Sequence, residues 1–376
     1  MEELTSRAPG RVTVYSIQGC PHCVQAKATL GRLEVPVCDV DLGRHPELRA
    51  AVKELTGRSS VPQIFFNNVH VGGNDDLQKL APEELQRLVS LVKEEPLPAD
   101  APPVPEGSQS EDAAGETDGA AELSLLLREL ILKLFSEHLS ADGKSVDYKG
   151  MSSNPAFKRY SELAIQLQRV ELLSLSREEK LAFFINTYNA LVIHGFLRLG
   201  APTNMWSRYR FFNYVSYLIG GEVFTLQDIE NGVLRGNKKG LAQFRRPFSN
   251  TDPRLQLALP SAEPLIHFAL NCGAKGCPPI KTYTPQDIDS QLRISAEAFL
   301  ENDDGCVVDS GKREVRLSQI FKWYKADFGG TDENLLKWVL EHMGASPKKT
   351  SLQGVMSEGK TKVTFLPYDW SSNGSH

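Results

Sequence analysis

The sequence lacks any unbroken apolar run of about eighteen residues, so it predicts no membrane-spanning helix. Residues 1–7 also lack the apolar centre of a signal peptide, and we therefore expect a cytoplasmic protein. The net charge is only −5, with 42 basic against 47 acidic residues, which gives no electrostatic reason to expect a nucleic-acid partner. Cysteine is scarce too, at six residues. In a reducing compartment these indicate reactive thiols, metal ligands or buried side chains rather than a disulfide framework.

The length of 376 residues and the hydrophobic content of 41% predict a globular chain of two or more domains, because single cores stop growing near about 250 residues. The segment 96–120 contains five prolines and six acidic residues, but no basic and no aromatic residue. Such a segment buries too little apolar surface to offset the entropy lost on ordering. We therefore predict an acidic, proline-rich flexible linker at 96–120, between a domain at 1–95 and a second domain at 121–376.

Hydrophobic periodicity in the first domain predicts alternating strands and helices. Short stretches rich in β-branched and aromatic residues predict strands at 11–16, 36–41, 63–67 and 70–71. Longer amphipathic patterns predict helices at 21–33, 46–55 and 76–93. The order βαβαββα predicts a small α/β domain whose sheet carries helices on both faces.

The motif Cys20-Pro21-His22-Cys23 lies at the junction between the first predicted strand and the first predicted helix. The leading cysteine then sits beside the unpaired N–H groups and the positive dipole end of the helix, which favours thiolate over thiol. Two intervening residues leave the sulfurs close enough to form a disulfide. Cys20 can therefore attack a substrate disulfide, and Cys23 can resolve the mixed disulfide that results. Half of a zinc site is the alternative, but the remaining candidate ligands have no pair spacing: Cys38, His45 and His70.

Three separated motifs, at residues 15–23, 57–66 and 69–77, resemble those of a dithiol glutaredoxin. The resemblance covers about residues 10–95 and implies a thioredoxin-like fold. It also implies a thiol–disulfide oxidoreductase that uses glutathione as co-substrate and acts on glutathionylated or disulfide-containing proteins. We expect no tightly bound metal.

The same resemblance implies a glutathione site. Pro62 should be a cis-proline facing the cysteines, and Val61 should offer its backbone to glutathione as an added strand would. Arg58 suits the glycyl carboxylate, and His22 stands at a further expected contact. The γ-glutamyl end of glutathione is expected at Gly73, Asn74, Asp75 and Asp76. The chain departs from the usual family pattern at Ile17, where a lysine is common, and at His22, where a tyrosine is common.

The second domain has a mostly helical pattern with a few strands, which predicts an α+β fold. Ser176 and Glu179 form a predicted capping box that opens a helix ending near Leu199. Two central glycines predict a β-hairpin over 214–226. Further helices are predicted from 284, over 318–328 and over 332–343, and a last strand over 363–366.

A glycine-rich segment places His267, Asn271, Cys272 and Cys277 near one another, at a turn of the kind that often presents N–H groups to an anion. Three interpretations remain open. One cysteine is a nucleophile, with His267 or His194 as its base and an asparagine orienting that base. Alternatively, the two cysteines hold zinc with one or two histidines, at a looser spacing than usual. In the third interpretation these groups are buried structural side chains.

This second half resembles the domain-of-unknown-function family 547 at residues 183–191, 267–279 and 367–370, and the resemblance covers about residues 125–372. The sequence therefore predicts a glutaredoxin-type enzyme joined to a second domain of uncertain chemistry. The alternative is a non-catalytic thioredoxin-fold binding module that serves a C-terminal scaffold or cysteine-dependent hydrolase.

Overall fold

A computed structural model describes residues 8–105 and 120–375. The chain forms two compact units. Unit 1 comprises residues 1–118, 165–170 and 214–225, and unit 2 comprises residues 119–164, 171–213 and 226–376. This division differs from the single predicted boundary at the linker, because two short segments of the predicted second domain belong to unit 1.

Unit 1 is built on a four-stranded sheet of order β2-β1-β3-β4. Its first elements are β1 (Val12–Ser16), α1 (Pro21–Gly31), β2 (Val37–Asp41), α2 (Leu48–Thr56), β3 (Gln63–Phe66), β4 (Val69–Gly72), α3 (Asn74–Gln78) and α4 (Pro82–Glu94). β1 pairs in parallel with β2 and antiparallel with β3, and β3 pairs antiparallel with β4. The predicted thioredoxin-like α/β fold is confirmed.

The central strand β1 separates two hydrophobic clusters. Val12 and Val14 pack on one face, with Leu30 of α1. Tyr15 packs in the other cluster, with Cys38 of β2. Successive side chains of a strand point to opposite faces, so a single buried strand contributes to both clusters. The strand that leads into the β1–α1 loop is therefore packed on both of its faces.

The helix predicted over 76–93 is two helices, α3 and α4, and the prediction of one continuous helix was wrong. Pro82 lacks a backbone N–H and its ring clashes with a preceding helical turn, but it suits the first turn of a new helix. Ala81 is accordingly extended, with ψ of 145°, and Pro82 opens α4.

The first part of the predicted linker, residues 96–105, packs on unit 1, which differs from the predicted flexibility. The Pro102 carbonyl accepts a hydrogen bond of 3.1 Å from Arg11, and the Pro103 carbonyl accepts one from the Tyr15 hydroxyl. Val104 packs beside the cluster that contains Tyr15. Proline carbonyls retain their full acceptor capacity, so the composition of the segment did not exclude such contacts. The remaining linker residues, 106–119, lie outside the described residues.

Unit 1 also contains the predicted hairpin, formed by β5 (Ser216–Ile219) and β6 (Glu222–Thr225). The two glycines between the strands have positive φ angles of 57° and 82°, as a tight hairpin turn requires. Leu218 of the hairpin packs against Val24 and Ala28 of α1, with Val223 beside them. The helix that begins at the Cys20–Cys23 motif is therefore supported by residues from the middle of the chain.

Unit 2 is mostly helical, as predicted, and has a small sheet. Its regular elements are α5 (Ala120–His138), α6 (Tyr148–Ser153), α7 (Pro155–Ala164), α8 (Arg177–Leu199), α9 (Met205–Tyr214, whose last residue belongs to unit 1), α10 (Ile288–Glu301), β7 (Cys306–Asp309), β8 (Glu314–Leu317), α11 (Gln319–Trp323), α12 (Asp332–His342), α13 (Pro347–Ser357) and β9 (Lys362–Phe365). A π-helical segment spans Asp228–Leu234, and 3-10 turns span Pro264–Phe268 and Lys325–Phe328.

Helix α8 is the predicted central helix of unit 2. Ser176 accepts a hydrogen bond from the Glu179 N–H at 3.1 Å, and the Glu179 carboxylate accepts one from the Ser176 N–H at 2.8 Å, which confirms the capping box. The three-stranded sheet β7-β8-β9 packs on a second cluster around Phe268 and Phe321. Within the described ranges, no helix is long and apolar enough to cross a membrane.

Candidate functional site

The first candidate site lies at the start of α1. Cys20 occupies the N-cap position, in extended conformation, and its sulfur accepts a hydrogen bond of 3.4 Å from the Cys23 N–H. Pro21 occupies the first helical position, where a backbone N–H would have no partner within the helix, so its absence costs no hydrogen bond. Cys20 is partly exposed and Cys23 is fully buried. The two cysteines are therefore unequal, since only Cys20 can be approached from solvent.

The two thiols also differ in acidity. A hydrogen bond from the Cys23 thiol, aided by backbone N–H groups and the nearby His22 imidazole, lowers the pKa of Cys20 to about 6, although burial opposes this shift. The same hydrogen bond and burial raise the pKa of Cys23 far above its ordinary value. At neutral pH, Cys20 is a thiolate and Cys23 keeps its proton.

The loop before β3 carries other residues for which the resemblance implied a role. The Val61–Pro62 bond is cis, as the resemblance implied. A Cβ atom on Gly73 would lie 3.5 Å from the Pro62 carbonyl oxygen, so the backbone passes closely here. The preceding Gly72 has a φ of 117°, and a Cβ there would lie 2.7 Å from the carboxyl carbon of Asp76. Of the two glycines, Gly72 is the one whose position requires the absence of a side chain.

Arg58 and Asp76, both expected to contact glutathione, pair with each other. Arg58 Nη1 donates to Asp76 Oδ2 at 2.7 Å, and the same oxygen accepts the Gly73 N–H at 2.8 Å. The Gly73 N–H and then Arg58 lower the pKa of Asp76 below its usual value. Asn74 is 5% exposed and binds Gln25 of α1 at 3.0 Å, which places it in the scaffold. Asp75 is exposed on α3.

A residue that sequence reasoning missed also contacts the motif. The hydroxyl of Tyr214 lies 2.9 Å from His22 Nε2, and the two rings meet edge to face at 5.4 Å. Arg32, near the other end of α1, pairs with Glu222 at 3.0 Å. These contacts come from the hairpin segment of unit 1, and no local sequence pattern signals them.

The second candidate site, in unit 2, is the glycine-rich turn that carries Cys272 and Cys277. Their sulfurs lie 2.7 Å apart, and the Cys272 N–H donates to the Cys277 sulfur at 3.1 Å. The Tyr368 hydroxyl lies 3.3 Å from the Cys277 sulfur. Gly273 has a φ of 82° and packs against the Phe196 ring, so a side chain would not fit there.

Asn271 stabilises this turn from within. Its amide donates to the Pro278 carbonyl at 2.8 Å, and its side-chain oxygen accepts the Gly273 N–H at 2.8 Å. Asn189 of α8 binds the same turn through the Asn271 N–H at 2.8 Å. Asn271 therefore fixes the shape of the turn and orients no histidine.

Of the two histidines proposed as bases, His267 lines the same cavity as the two cysteines, whereas His194 is not among the residues that line it. His267 Nε2 is 2.9 Å from Asp327, and its ring stacks on Tyr324 at 3.9 Å. His194 is buried against the rings of Phe157 and Tyr160, and burial lowers its pKa to about 3. Among the described residues, the hydrogen-bond partners of the two sulfurs include no imidazole. The structure thus brings the cysteines together, and His267 faces the same cavity but hydrogen-bonds to Asp327 and to neither sulfur.

Asp327, which sequence reasoning also missed, is the centre of a buried ion network. It accepts hydrogen bonds from Arg235 and His267, and its side chain is 0% exposed. Burial favours the neutral acid, but these partners outweigh burial and hold the pKa of Asp327 well below its usual range. Across residues 8–105 and 120–375, no three Cys, His, Asp or Glu side chains form a group that could hold a metal ion.

Comparison with known proteins identifies two families in this chain. The glutaredoxin family model matches residues 12–71, and the model described as protein of unknown function, DUF547, matches residues 172–300. Glutaredoxin 1 of Rickettsia typhi is 37% identical over 87 residues, which cover 23% of this chain and 82% of that protein. Glutaredoxin of Pseudomonas aeruginosa is 41% identical over 69 residues, which cover 18% of this chain and 82% of that protein.

The solution structure of glutaredoxin from Brucella melitensis is 43% identical and covers 24% of this chain and 94% of that chain, with a TM-score of 0.20. The curated relatives are matched over most of their own length, at the dithiol domain. The chain therefore belongs to the glutaredoxin family of thiol–disulfide oxidoreductases, and a DUF547 domain follows its glutaredoxin domain.

Proposed function

We propose that this protein is a glutathione-dependent thiol–disulfide oxidoreductase in which Cys20 attacks and Cys23 resolves. The observation that carries the proposal is the position of Cys20 at the N-cap of α1. Its sulfur accepts hydrogen bonds there, and its pKa is lowered to about 6. A thiolate is the reactive form of cysteine, and Cys20 is the partly exposed member of the pair.

The reaction balances without a metal or a further cofactor. The Cys20 thiolate attacks a glutathionylated protein, the mixed disulfide breaks, and the protein leaves as a thiolate while glutathione stays on Cys20. A second glutathione thiolate then attacks, which releases glutathione disulfide and restores Cys20. With a protein disulfide as substrate, Cys23 instead attacks the mixed disulfide at Cys20, and the substrate leaves with both of its sulfurs reduced. Two glutathione thiols then reduce the resulting Cys20–Cys23 disulfide and leave as glutathione disulfide.

Glutathione binding is proposed along the loop that precedes β3 and at the start of α3. The backbone of Val61, which precedes cis-Pro62, would pair with the extended peptide as an added strand does. The Arg58–Asp76 ion pair supplies one cation and one anion for the two carboxylates and the ammonium of a γ-glutamyl tripeptide. The glycyl carboxylate would take Arg58 and the ammonium would take Asp76, so the peptide exchanges one exposed ion pair for two.

The test is the reduction of a small mixed disulfide by glutathione, with the full chain. Wild type should turn over, Cys20→Ser should be inactive, and Cys23→Ser should keep part of the activity because glutathione can replace the resolving thiol. If wild type and Cys20→Ser are equally slow, the enzyme proposal fails. The non-catalytic binding module would then be supported, provided that a disulfide-bearing peptide still binds beside Pro62. A cytoplasmic location, where the glutathione pool is kept reduced, fits the proposed direction of electron flow.

A further inference from the structure

A cavity of about 240 Å³ in unit 2 opens onto both Cys272 and Cys277. We propose that these cysteines form a second dithiol–disulfide centre, independent of Cys20 and Cys23, and that Arg208 directs it to disulfides that carry a carboxylate. The centre lies entirely in the DUF547 half of the chain and does not depend on the proposed activity of unit 1.

The geometry of the turn carries the first step. The two sulfurs lie 2.7 Å apart, near enough to become bonded at about 2.0 Å with little movement of the turn. The turn is held from both sides, because the Lys275 N–H donates to the Ser371 carbonyl and the Asn373 N–H donates to the Gly273 carbonyl, both at 2.9 Å. Because the two sulfurs are held close together, a mixed disulfide on one cysteine should be attacked by the other cysteine before it can accumulate.

The two thiols have unequal roles. Burial opposes ionisation of Cys277, but hydrogen bonds from Cys272 and the Tyr368 hydroxyl outweigh it and lower the pKa of Cys277 below its ordinary value. The hydrogen bond with Cys277 and burial raise the pKa of Cys272, and the nearby Arg208 guanidinium opposes them. Cys277 lines the cavity, and its sulfur accepts the Cys272 N–H at 3.1 Å and lies 3.3 Å from the Tyr368 hydroxyl. These contacts assign Cys277 as the attacking thiolate and Cys272 as the resolving thiol.

The chemistry is a complete dithiol–disulfide exchange. The Cys277 sulfur attacks the substrate disulfide, the S–S bond breaks, and one substrate half leaves as a thiolate. Cys272 loses its proton to solvent and attacks Cys277, which releases the second half. Two protein thiols are oxidised to one disulfide and the substrate disulfide is reduced to two thiols. Two molecules of a low-molecular-weight thiol then return the centre to its dithiol form and leave as their own disulfide.

Arg208 gives the cavity its preference for anions. Arg208 is 8% exposed and lines the cavity, and its Nη2 donates to the Trp370 carbonyl at 2.8 Å. Its Nη1 is buried and has no hydrogen-bond partner among the described residues. A buried donor without a partner is costly, and a carboxylate in the cavity would satisfy it with a charge-assisted bond.

The walls of the cavity favour a flat, partly apolar substrate. Much of the lining is aromatic and includes Tyr188, Phe212, Trp323, Tyr324 and Trp370. Such rings bind other rings by stacking. An aromatic disulfide with a carboxylate on each ring therefore matches both the walls and Arg208, and 5,5′-dithiobis(2-nitrobenzoate) is such a probe. Neutral 4,4′-dithiodipyridine has the same reactive bond without the charge.

The experiment uses the full chain carrying Cys20→Ser and Cys23→Ser, so that the first dithiol is silent. Cys38 and Cys306 are buried and, unlike Cys272 and Cys277, do not line the cavity, so they should not react in the folded protein. One equivalent of the dinitrobenzoate probe should release both of its halves. Mass spectrometry should then show a Cys272–Cys277 disulfide without an adduct, and added glutathione should reverse it. A lasting adduct on either cysteine, or no reaction before unfolding, would overturn the second centre.

The role of Arg208 is tested in the same background. Arg208→Gln should slow the reaction with the anionic probe about tenfold, the effect of losing one charge-assisted hydrogen bond, and change the rate with dithiodipyridine less than about twofold. Arg210→Gln, on the exposed side of the same helix, is the matched control and should leave both rates unchanged. Equal slowing with both probes would overturn anion selection. Arg208→Lys keeps the positive charge and should restore part of the preference for the anionic probe. It also serves as the test variant if Arg208→Gln does not fold.

Discussion

The hydroxyl of Tyr214 lies 2.9 Å from Nε2 of His22, although 192 positions separate the two residues. His22 lies between the two cysteines of the first dithiol, on the outer side of α1. Tyr214 begins the segment whose hairpin packs on the same helix, so a part of the chain far from the motif helps to fix its position.

Removing the core contact of this hairpin should loosen α1. Leu218→Ala should lower the local stability of α1 by about 2–4 kcal/mol, because the site at Val24 and Ala28 loses a buried side chain. Native-state hydrogen exchange of the α1 amides measures this. Leu55→Ala removes a leucine that is 52% exposed in the same unit and should change exchange by less than about 0.5 kcal/mol. Equal exchange in the two variants would show that the hairpin does not support the helix.

The acidity of Cys20 should depend on the hydrogen-bonding capacity of residue 23. Cys23→Ala removes the donor that is the main cause of the pKa of about 6, so the midpoint of Cys20 alkylation should rise toward about 8.5. Cys23→Ser retains a hydroxyl donor, and its midpoint should remain closer to that of wild type. Iodoacetamide rates between about pH 4 and 10, followed for Cys20 by peptide mass spectrometry, give both values. Identical midpoints in wild type and Cys23→Ala would exclude the Cys23 hydrogen bond as the cause of the low pKa of Cys20.

Arg58 should contribute to glutathione binding more than to chemistry. Arg58→Gln should raise KM for glutathione about tenfold and change kcat less than about twofold, because the lost charge-assisted bond is made in the ground state as well as in the transition state. Arg87→Gln is the matched control, since Arg87 is an exposed arginine that pairs with Glu84 on α4. A fall in kcat without a change in KM would place Arg58 in the reaction itself.

Asp327 should be a major source of stability in unit 2. Asp327→Asn leaves the buried Arg235 without its counter-charge and should destabilise the unit by about 3–5 kcal/mol. Because the pKa of Asp327 is depressed in the folded state, this stabilisation is fully present above about pH 4 and decreases as the pH falls further.

Urea unfolding of wild type and Asp327→Asn at neutral and acidic pH checks both statements, and the difference between them should shrink below about pH 4. Asp332→Asn is the control, since Asp332 is 56% exposed and its surface pair with Lys325 is worth less than about 1 kcal/mol. If the difference in unfolding free energy between wild type and Asp327→Asn stayed constant with pH, Asp327 would not be ionised in the folded protein as assigned.

Much of the fold followed from local patterns. The strands and helices of unit 1, the capping box at Ser176 and the glycine hairpin were predicted because each depends on residues a few positions apart. The continuous helix over 76–93 failed at Pro82, although proline at a helix start is itself a local signal. The packing of residues 96–105 was not predictable, because it depends on Arg11 and Tyr15, far away in the chain.

The sequence by itself determined the pairing of the first dithiol, since two cysteines at this spacing hydrogen-bond across the first turn of the local helix. The burial that keeps the proton on Cys23 comes from tertiary packing. Only the tertiary structure decided what surrounds the second pair. Cys272 and Cys277 are five positions apart, but Tyr368 and Arg208 reach them from distant segments, and His267 binds Asp327 instead. Side-chain periodicity indicates which face of an element is buried, whereas the partner on that face depends on how elements pack.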